Sequence, residues 1–169
     1  ITATLVWLPF SNLLVKLACL TIRDDKSDEV SKEDQEFMIL ESRFLEKPAF
    51  AVEQGRNAAR HMERDSRKAL DISLGLLRNY EEEQAERVQK IETKVDRYED
   101  ELGTYLVKLN NKDLSEKDSH SVSIMLHCIG DFERISDHAV NIMESARELH
   151  EKNLSFSPEA RTELQVLAS

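Results

Sequence analysis

The chain has 169 residues, which allows one domain of ordinary size plus an appendage. Acidic residues outnumber basic ones by 33 to 23, the formal net charge is −10 at pH 7, and no basic cluster is present. Nucleic acid is therefore not an expected partner, because binding would begin with repulsion of the phosphates. Only four Gly and three Pro interrupt long, charged, Leu-rich stretches, a composition typical of an all-α protein.

Residues 1–22 are the most apolar part of the chain, and Lys16 is their single charge. The length of the stretch is close to the ~20 residues that span a bilayer, and Trp7 suits a membrane interface. Ser11, Asn12 and Lys16 would fall on one side of a helix, which equally suits an amphipathic helix packed on a bundle or in a dimer. Composition alone leaves both interpretations open.

Residues 23–47 are predicted to be a linker. Its first part, up to residue 36, is charged and poor in core residues. Its second part, Phe37 to Leu45, is apolar without a clear period, and we expect it to run extended along the domain until Pro48.

Three long amphipathic segments follow, over about residues 48–82, 83–110 and 115–152. Pro48 suits a first helical turn, and Ser115 with Asp118 resembles a capping box. Helices of roughly 30 residues, each ~45 Å long, can bury a core when they fold back on one another. The sequence therefore predicts an antiparallel three-helix bundle over residues 48–154. Ser157 to Glu159 opens a further helix within residues 155–169, which we expect to continue past the last residue.

The apolar stripes of the second and third helices define which side of each helix is buried. The second helix presents Val88, Ile91, Val95, Leu102, Leu106 and Leu109 at helical spacing. The third presents Ile129, Phe132, Ile135 or Ser136, Ala139, Ile142 or Met143, and Ala146. The alternatives on the third helix stay open, because adjacent positions fit the same stripe.

Both of these helices carry a pair of carboxylates beside the stripe. Glu92 and Asp96 stand four residues apart on the second helix, and Glu133 and Asp137 on the third, so each pair shares one face. If the pairs face each other, the repulsion reaches about 4 kcal/mol for two charges ~4 Å apart at an effective dielectric of ~20. A bound cation would replace this repulsion with attraction. Without a cation, protonation of the carboxylates or their separation into water would relieve the repulsion.

The two pairs and their surroundings resemble the PhoU domain, a helical-bundle regulator of phosphate uptake. The resemblance rests on E-x-x-x-D in the second helix and on D-x-E-R-I-x-D-H-A-x-N-I at residues 131–142, and it runs from about Ala49 to about Leu154. The family often has Gly at the position of Ser136, a change that we expect to adjust helix packing without removing a ligand.

The resemblance implies metal binding by the carboxylate pairs, which on this chain are Glu92, Asp96, Glu133 and Asp137. Oxygen ligands suit Mg, Ca, Mn or Fe, and the resemblance adds Zn to the ions that such a site could bind. The sequence does not distinguish among these ions. The other interpretation is a charged bundle face on which Lys94, Arg97 and Arg134 neutralise the acids.

The N-terminal residues resemble a second group of proteins. Leu8 to Leu17 is similar to the last membrane segment of bacterial sodium/phosphate cotransporters, and Leu40 to Ala49 is similar to the stretch that follows it, with Glu41 in place of the usual Asp. The resemblance implies a regulatory domain on the cytoplasmic side of the membrane, whose partner is the transmembrane part of the same phosphate transporter. A homodimer stays open as well.

Two other classes of function have less support in the sequence. None of the five histidines has Glu three residues before it, which disfavours di-iron oxidase chemistry of the ferritin type. The sequence shows no basic cluster for clamping phosphates and no nucleophile–base set, so we do not expect an enzyme. A metal-dependent all-helical phosphohydrolase and a purely structural helical module are the alternatives.

Overall fold

The computed structural model describes residues 37–167. Two short 3-10 helices, Met38–Leu40 and Ser42–Glu46, precede four α-helices: α1 (Pro48–Leu76), α2 (Glu82–Asn110), α3 (Glu116–Glu151) and α4 (Pro158–Leu167). This part of the chain contains no β-strand, and the predicted all-α class is confirmed. The predicted apolar helix at residues 1–22 and most of the linker lie outside the described residues.

The three long helices form the bundle. Each of α1, α2 and α3 packs against the other two, and the connections at residues 77–81 and 111–115 are short. Long helices joined by such short connections must run antiparallel, as the sequence predicts. None of the helices in the described part has the length and apolarity needed to cross a membrane.

The core follows the periodicity of the sequence. The whole predicted stripe of α2 is buried, and Tyr98 and Tyr105 of the same helix join it. The facing side of α1 is built from small residues, and a β-carbon added at Gly55 would lie only 3.1 Å from Leu106 Cδ2. Small residues on α1 therefore let α1 and α2 pack closely.

The register of α3 settles the positions that the sequence left open. Ser136 and Met143 are fully buried, whereas Ile135 is 36% exposed and Ile142 is half-buried. The small side chain of Ser136 lies where α3 meets the rest of the bundle, and the bulkier Ile135 is turned toward the surface. Of the two adjacent residues that fit the stripe, the polar Ser136 is therefore the one in the core.

The helix ends show how the sequence sets the boundaries. The backbone amide of Asp118 donates to Ser115 Oγ at 3.2 Å, and that of Ala160 donates to Ser157 Oγ at 3.2 Å. Both predicted N-caps are confirmed, since each hydroxyl accepts from an amide that the first helical turn leaves without a partner.

Two expectations about the ends of α1 were wrong. Residues 37–45 do not run extended but fold mainly into the two 3-10 helices, with Glu41 as the extended residue between them, and Phe37, Leu40 and Leu45 are buried. The Phe37 ring lies 4.5 Å from that of Tyr98, and this contact with α2 outweighs the extended tendency of the stretch. At the other end, α1 stops at Leu76 and not near residue 82, because the amides of residues 78 and 79 both bond to the carbonyl of Gly75 and close a turn.

Candidate metal centre

The carboxylates are positioned by the buried residues that precede them. Ile91 and Val95 anchor one side of α2 in the core, so Glu92 and Asp96 emerge at the edge of the α2–α3 contact. Ser136 is buried in the same way on α3, so Asp137, the next residue, also lies at the edge of the contact between the two helices. Each acid follows directly after a core position, and two packed helices therefore bring their acidic edges together.

Glu92, Asp96 and Asp137 form a group, which we call the carboxylate cluster. One carboxylate oxygen of each residue lies within 4.8 Å of the other two. Glu92 is half-buried, and Asp96 and Asp137 are exposed. Among the described residues this is the group of acidic, His or Cys side chains close enough to share one ion. Three of the four predicted ligands are thus brought together.

The electrostatics of the cluster are repulsive. Burial raises the pKa of the Glu92 carboxyl, and the charges of Asp96 and Asp137 raise it further. Burial also raises the pKa of the Asp96 carboxyl, with added effects from the charges of Asp137 and Asp100. Burial is the larger cause, and the added effect of the neighbouring acids shows that their charges repel, so a cation would be favoured there.

Glu133, the fourth predicted ligand, lies beside the cluster. Burial raises the pKa of its carboxyl, followed by the charge of Asp137, a hydrogen bond with Asp137, and the charges of Asp96 and Glu99. Glu133 is therefore within the same electrostatic field, one turn before Asp137 on α3. Its carboxylate is not among those close enough to share one ion, so Glu133 adds negative charge beside the cluster and is not placed as a fourth ligand.

Two of the three cations that the sequence offered to neutralise this face, Lys94 and Arg97, contact other groups. Lys94 Nζ lies 2.9 Å from Asp65 Oδ2 on α1. Arg97 Nε lies 2.7 Å from Glu101 Oε1, and its guanidinium lies 4.1 Å from the centre of the Phe37 ring. Arg134 is exposed. These contacts hold the two α2 cations against partners outside the cluster.

The sequence analysis did not single out two further acids, Glu99 and Asp100, that add negative charge near the cluster. Asp100 acts on Asp96, and Glu99 acts on Glu133. The sequence does contain a pattern that identifies them, because they follow Asp96 by three and four residues, a spacing that places residues on the same face of a helix. His138, by contrast, is exposed and is not part of the cluster.

The donor set is composed of carboxylate oxygens alone. Such hard ligands suit Mg, Ca, Mn or Fe better than Zn, which usually adds His or Cys. Because two of the three acids are exposed, an ion held here would keep coordination positions open to water or to an anion. The cluster could thus bind a cation that bridges α2 and α3.

Comparison with known proteins places the chain in a family. The family model of the PhoU domain matches residues 59–146, more than half of the chain, from within α1 to near the end of α3. This range lies inside the one that the sequence predicts from about Ala49 to about Leu154. Searches of curated proteins and of solved structures gave no match. The match covers both carboxylate pairs and the helices that carry them, and the chain therefore belongs to the PhoU domain family.

Proposed function

We propose that this PhoU domain regulates phosphate uptake and holds a metal ion between α2 and α3. Family membership supports the regulatory role in phosphate homeostasis. The observation that carries the metal is the approach of Glu92, Asp96 and Asp137 to within 4.8 Å of one another. Three carboxylates at that distance are stabilised together by a cation, which replaces mutual repulsion with attraction.

The metal would also give an acidic surface a way to contact phosphate. A bare carboxylate cluster repels an anion, and the net charge of −10 adds to that repulsion. A divalent or trivalent ion reverses the local sign, and the exposed sides of Asp96 and Asp137 leave room for phosphate oxygens as further ligands. Phosphate sensing at this site would therefore depend on the metal.

For the partner, we propose the transmembrane part of a sodium-dependent phosphate transporter in the same protein, with this domain on the cytoplasmic side. Support comes from the resemblance of Leu8–Leu17 and Leu40–Ala49 to the segments that connect such transporters to their PhoU domains. Regulation requires that the domain contact two states of the carrier with different affinity, because only differential binding shifts an equilibrium.

The metal is tested by elemental analysis of the purified protein. Protein prepared without chelator and without a nickel column is analysed by plasma mass spectrometry as wild type, Glu92→Gln and Asp137→Asn. Glu86→Gln and Glu144→Gln are the matched controls, because each removes an exposed carboxylate from the same helices outside the cluster. We expect near-stoichiometric metal in the wild type and controls and its loss in the two cluster variants. Equal metal content in all five proteins would contradict the site.

The regulatory role is tested by transport. Sodium-dependent phosphate uptake is measured in cells that produce the whole protein, either as wild type or as Asp137→Asn, with Glu144→Gln as control. We expect the dependence of uptake on phosphate supply to change only in the Asp137 variant. Unchanged uptake in that variant, at equal protein level, would separate the cluster from regulation.

A further inference from the structure

A cavity of about 390 Å³ lies between α4 and the neighbouring ends of α1 and α3. It is distinct from the carboxylate cluster, since Asp137 and Ala146 are nine residues apart on α3, or about 14 Å at 1.5 Å per residue. Its volume falls in the range of small-molecule sites, roughly 300–1,000 Å³. Nothing in the proposed metal-dependent role uses this cavity.

A reversal of the chain after α3 builds one wall of the cavity. Asn153 has a φ of 51°, in the left-handed region, and its amide bonds to the carbonyl of His150. The amide of Leu154 bonds to the carbonyl of Leu149 at 2.9 Å. This pair of hydrogen bonds is a Schellman motif, which ends α3 and turns residues 154–156 back over its last turn.

The body of the cavity is apolar. Leu76, Leu77, Leu149, Phe156 and Leu164 line it, together with Leu154. Leu154 is 58% exposed, although the C-terminal residue of a Schellman motif usually packs onto the helix. An exposed leucine that lines a cavity adds apolar surface, which a bound molecule would remove from water.

The ionisable side chains at the cavity are basic apart from Tyr80, and Ser155 is the other polar lining residue. Arg78 from the connection between α1 and α2 and Arg161 from α4 both line it, as does His150, and no Asp or Glu is among its lining residues. Within the described residues, neither Arg78 nor Arg161 forms a side-chain ion pair. Arg147 provides a contrast, because it pairs with Glu82 at 3.1 Å and donates to Tyr80 Oη at 2.9 Å.

An aromatic pair gives the cavity a fixed side. The ring of Tyr80 stacks on that of His150, with centroids 4.8 Å apart, and its hydroxyl donates to Glu82 Oε2 at 2.7 Å. The Tyr80 hydroxyl thus already has two partners, because it also accepts from Arg147. A preformed wall lowers the entropic cost of binding, since fewer side chains have to be ordered.

We propose that this cavity binds one small amphipathic anion, with a carboxylate or phosphate head at Arg78 and Arg161 and an apolar body against the leucines. Both arginines are exposed and form no ion pair within the described residues, so they place positive charge at the cavity in a chain whose net charge is −10. A guanidinium group can bind a carboxylate or a phosphate in a bidentate manner. Because Arg78 and Arg161 come from different elements, the bound anion fastens α4 to the end of the bundle.

The test is isothermal titration calorimetry on the whole, metal-free chain, so that its outcome is independent of the carboxylate cluster. The probes are octanoate and octyl phosphate, which carry both parts, inorganic phosphate, which is the head alone, and 1-octanol, which is the body alone. We expect saturable binding of one octanoate or one octyl phosphate, and at least tenfold weaker binding of the other two probes. The stronger of the two anions identifies the preferred head.

The matched variants locate the site. Arg78→Gln/Arg161→Gln should weaken the binding of the preferred anion at least tenfold, whereas Arg87→Gln, which removes an exposed arginine from α2, should leave it unchanged. Far-ultraviolet circular dichroism checks that the double variant keeps its helices. Absence of saturable binding by both anions would overturn the proposal, as would binding of the folded double variant with the affinity of the wild type.

Discussion

Lys94 of α2 and Asp65 of α1 form an ion pair across the bundle, with Nζ and Oδ2 2.9 Å apart. The two side chains are only 18% and 19% exposed, and Lys94 Nζ also lies 5.6 Å from the centre of the Tyr98 ring. Partial burial lowers the local dielectric and strengthens the attraction. The pair therefore ties α1 to the helix that carries Glu92 and Asp96.

Asp65→Asn should lower the free energy of unfolding by about 1–2 kcal/mol, between the values typical of exposed and buried pairs. The reason is that Lys94 stays partly buried while its anionic partner is removed. Urea unfolding followed by circular dichroism measures the change. Glu53→Gln breaks the more exposed pair with Arg56 and should cost less than about 0.5 kcal/mol. Equal losses in the two variants would show that burial adds nothing to the Lys94–Asp65 pair.

The carboxylate cluster should make the metal-free protein less stable as pH rises. The folded-state pKa of Glu92 is raised above its ordinary value of 4.5, so the folded chain binds more protons than the unfolded chain above that pH. The stabilising contribution is complete below pH 4.5 and is lost as pH rises through the raised folded-state pKa.

Glu92→Gln tests whether the Glu92 carboxylate makes the protein less stable as pH rises. Without metal, the variant should be more stable than the wild type at pH 7 by roughly 0.5 kcal/mol, the size of a like-charge pair four residues apart on a helix. The gain should shrink as pH falls below 4.5, because Glu92 then becomes protonated in the unfolded chain as well as in the folded one. Urea unfolding at pH 7 and below pH 4.5 measures it. A gain of the same size and pH dependence in Glu86→Gln would assign the effect to the general acidity of the chain.

Ser136 is fully buried, and its Oγ has no hydrogen-bond partner among the described residues. Ser136→Ala should therefore raise the free energy of unfolding by about 1 kcal/mol, because it removes an unsatisfied hydroxyl. Ser66 and Ser73 are equally buried, but their hydroxyls donate to the carbonyls of Met62 and Ala69 at 2.9 Å each.

The same substitution at Ser66 or Ser73 should leave thermal stability nearly unchanged, since the lost hydrogen bond offsets the better helix propensity of Ala. Thermal unfolding of the three single variants makes the comparison. If all three melt at the same temperature, the Ser136 hydroxyl has a partner in solution.

Two helical glycines should respond oppositely to Ala. At Gly130 a β-carbon would meet nothing within 4 Å, so Gly130→Ala should gain about 0.8–1 kcal/mol from helix propensity. At Gly55 it would lie 3.1 Å from Cδ2 of the fully buried Leu106. Overpacking costs about 1–3 kcal/mol, so Gly55→Ala should be neutral or destabilising. Urea midpoints measure both changes, and an equal gain at the two sites would show that α1 and α2 separate without cost.

Much of the fold could be predicted from local signals. The apolar period marked α2 and α3, and Ser115 and Ser157 marked the starts of two helices, because a hydroxyl there satisfies backbone amides of the first turn. The E-x-x-x-D spacing placed Glu92 and Asp96 on one face of α2, since four residues nearly complete a helical turn. These properties depend only on residues close together in sequence.

The approach of Asp137 to Glu92 and Asp96 was decided by tertiary structure, because it depends on how α2 and α3 are rotated and shifted against each other. The same packing chose Ser136 over Ile135 for the core and folded residues 37–45 into short helices against Tyr98. The cavity beneath α4 joins Arg78 to Arg161, which are far apart in sequence. A single sequence determines which face each helix offers, and the sum of many weak side-chain contacts determines which faces meet.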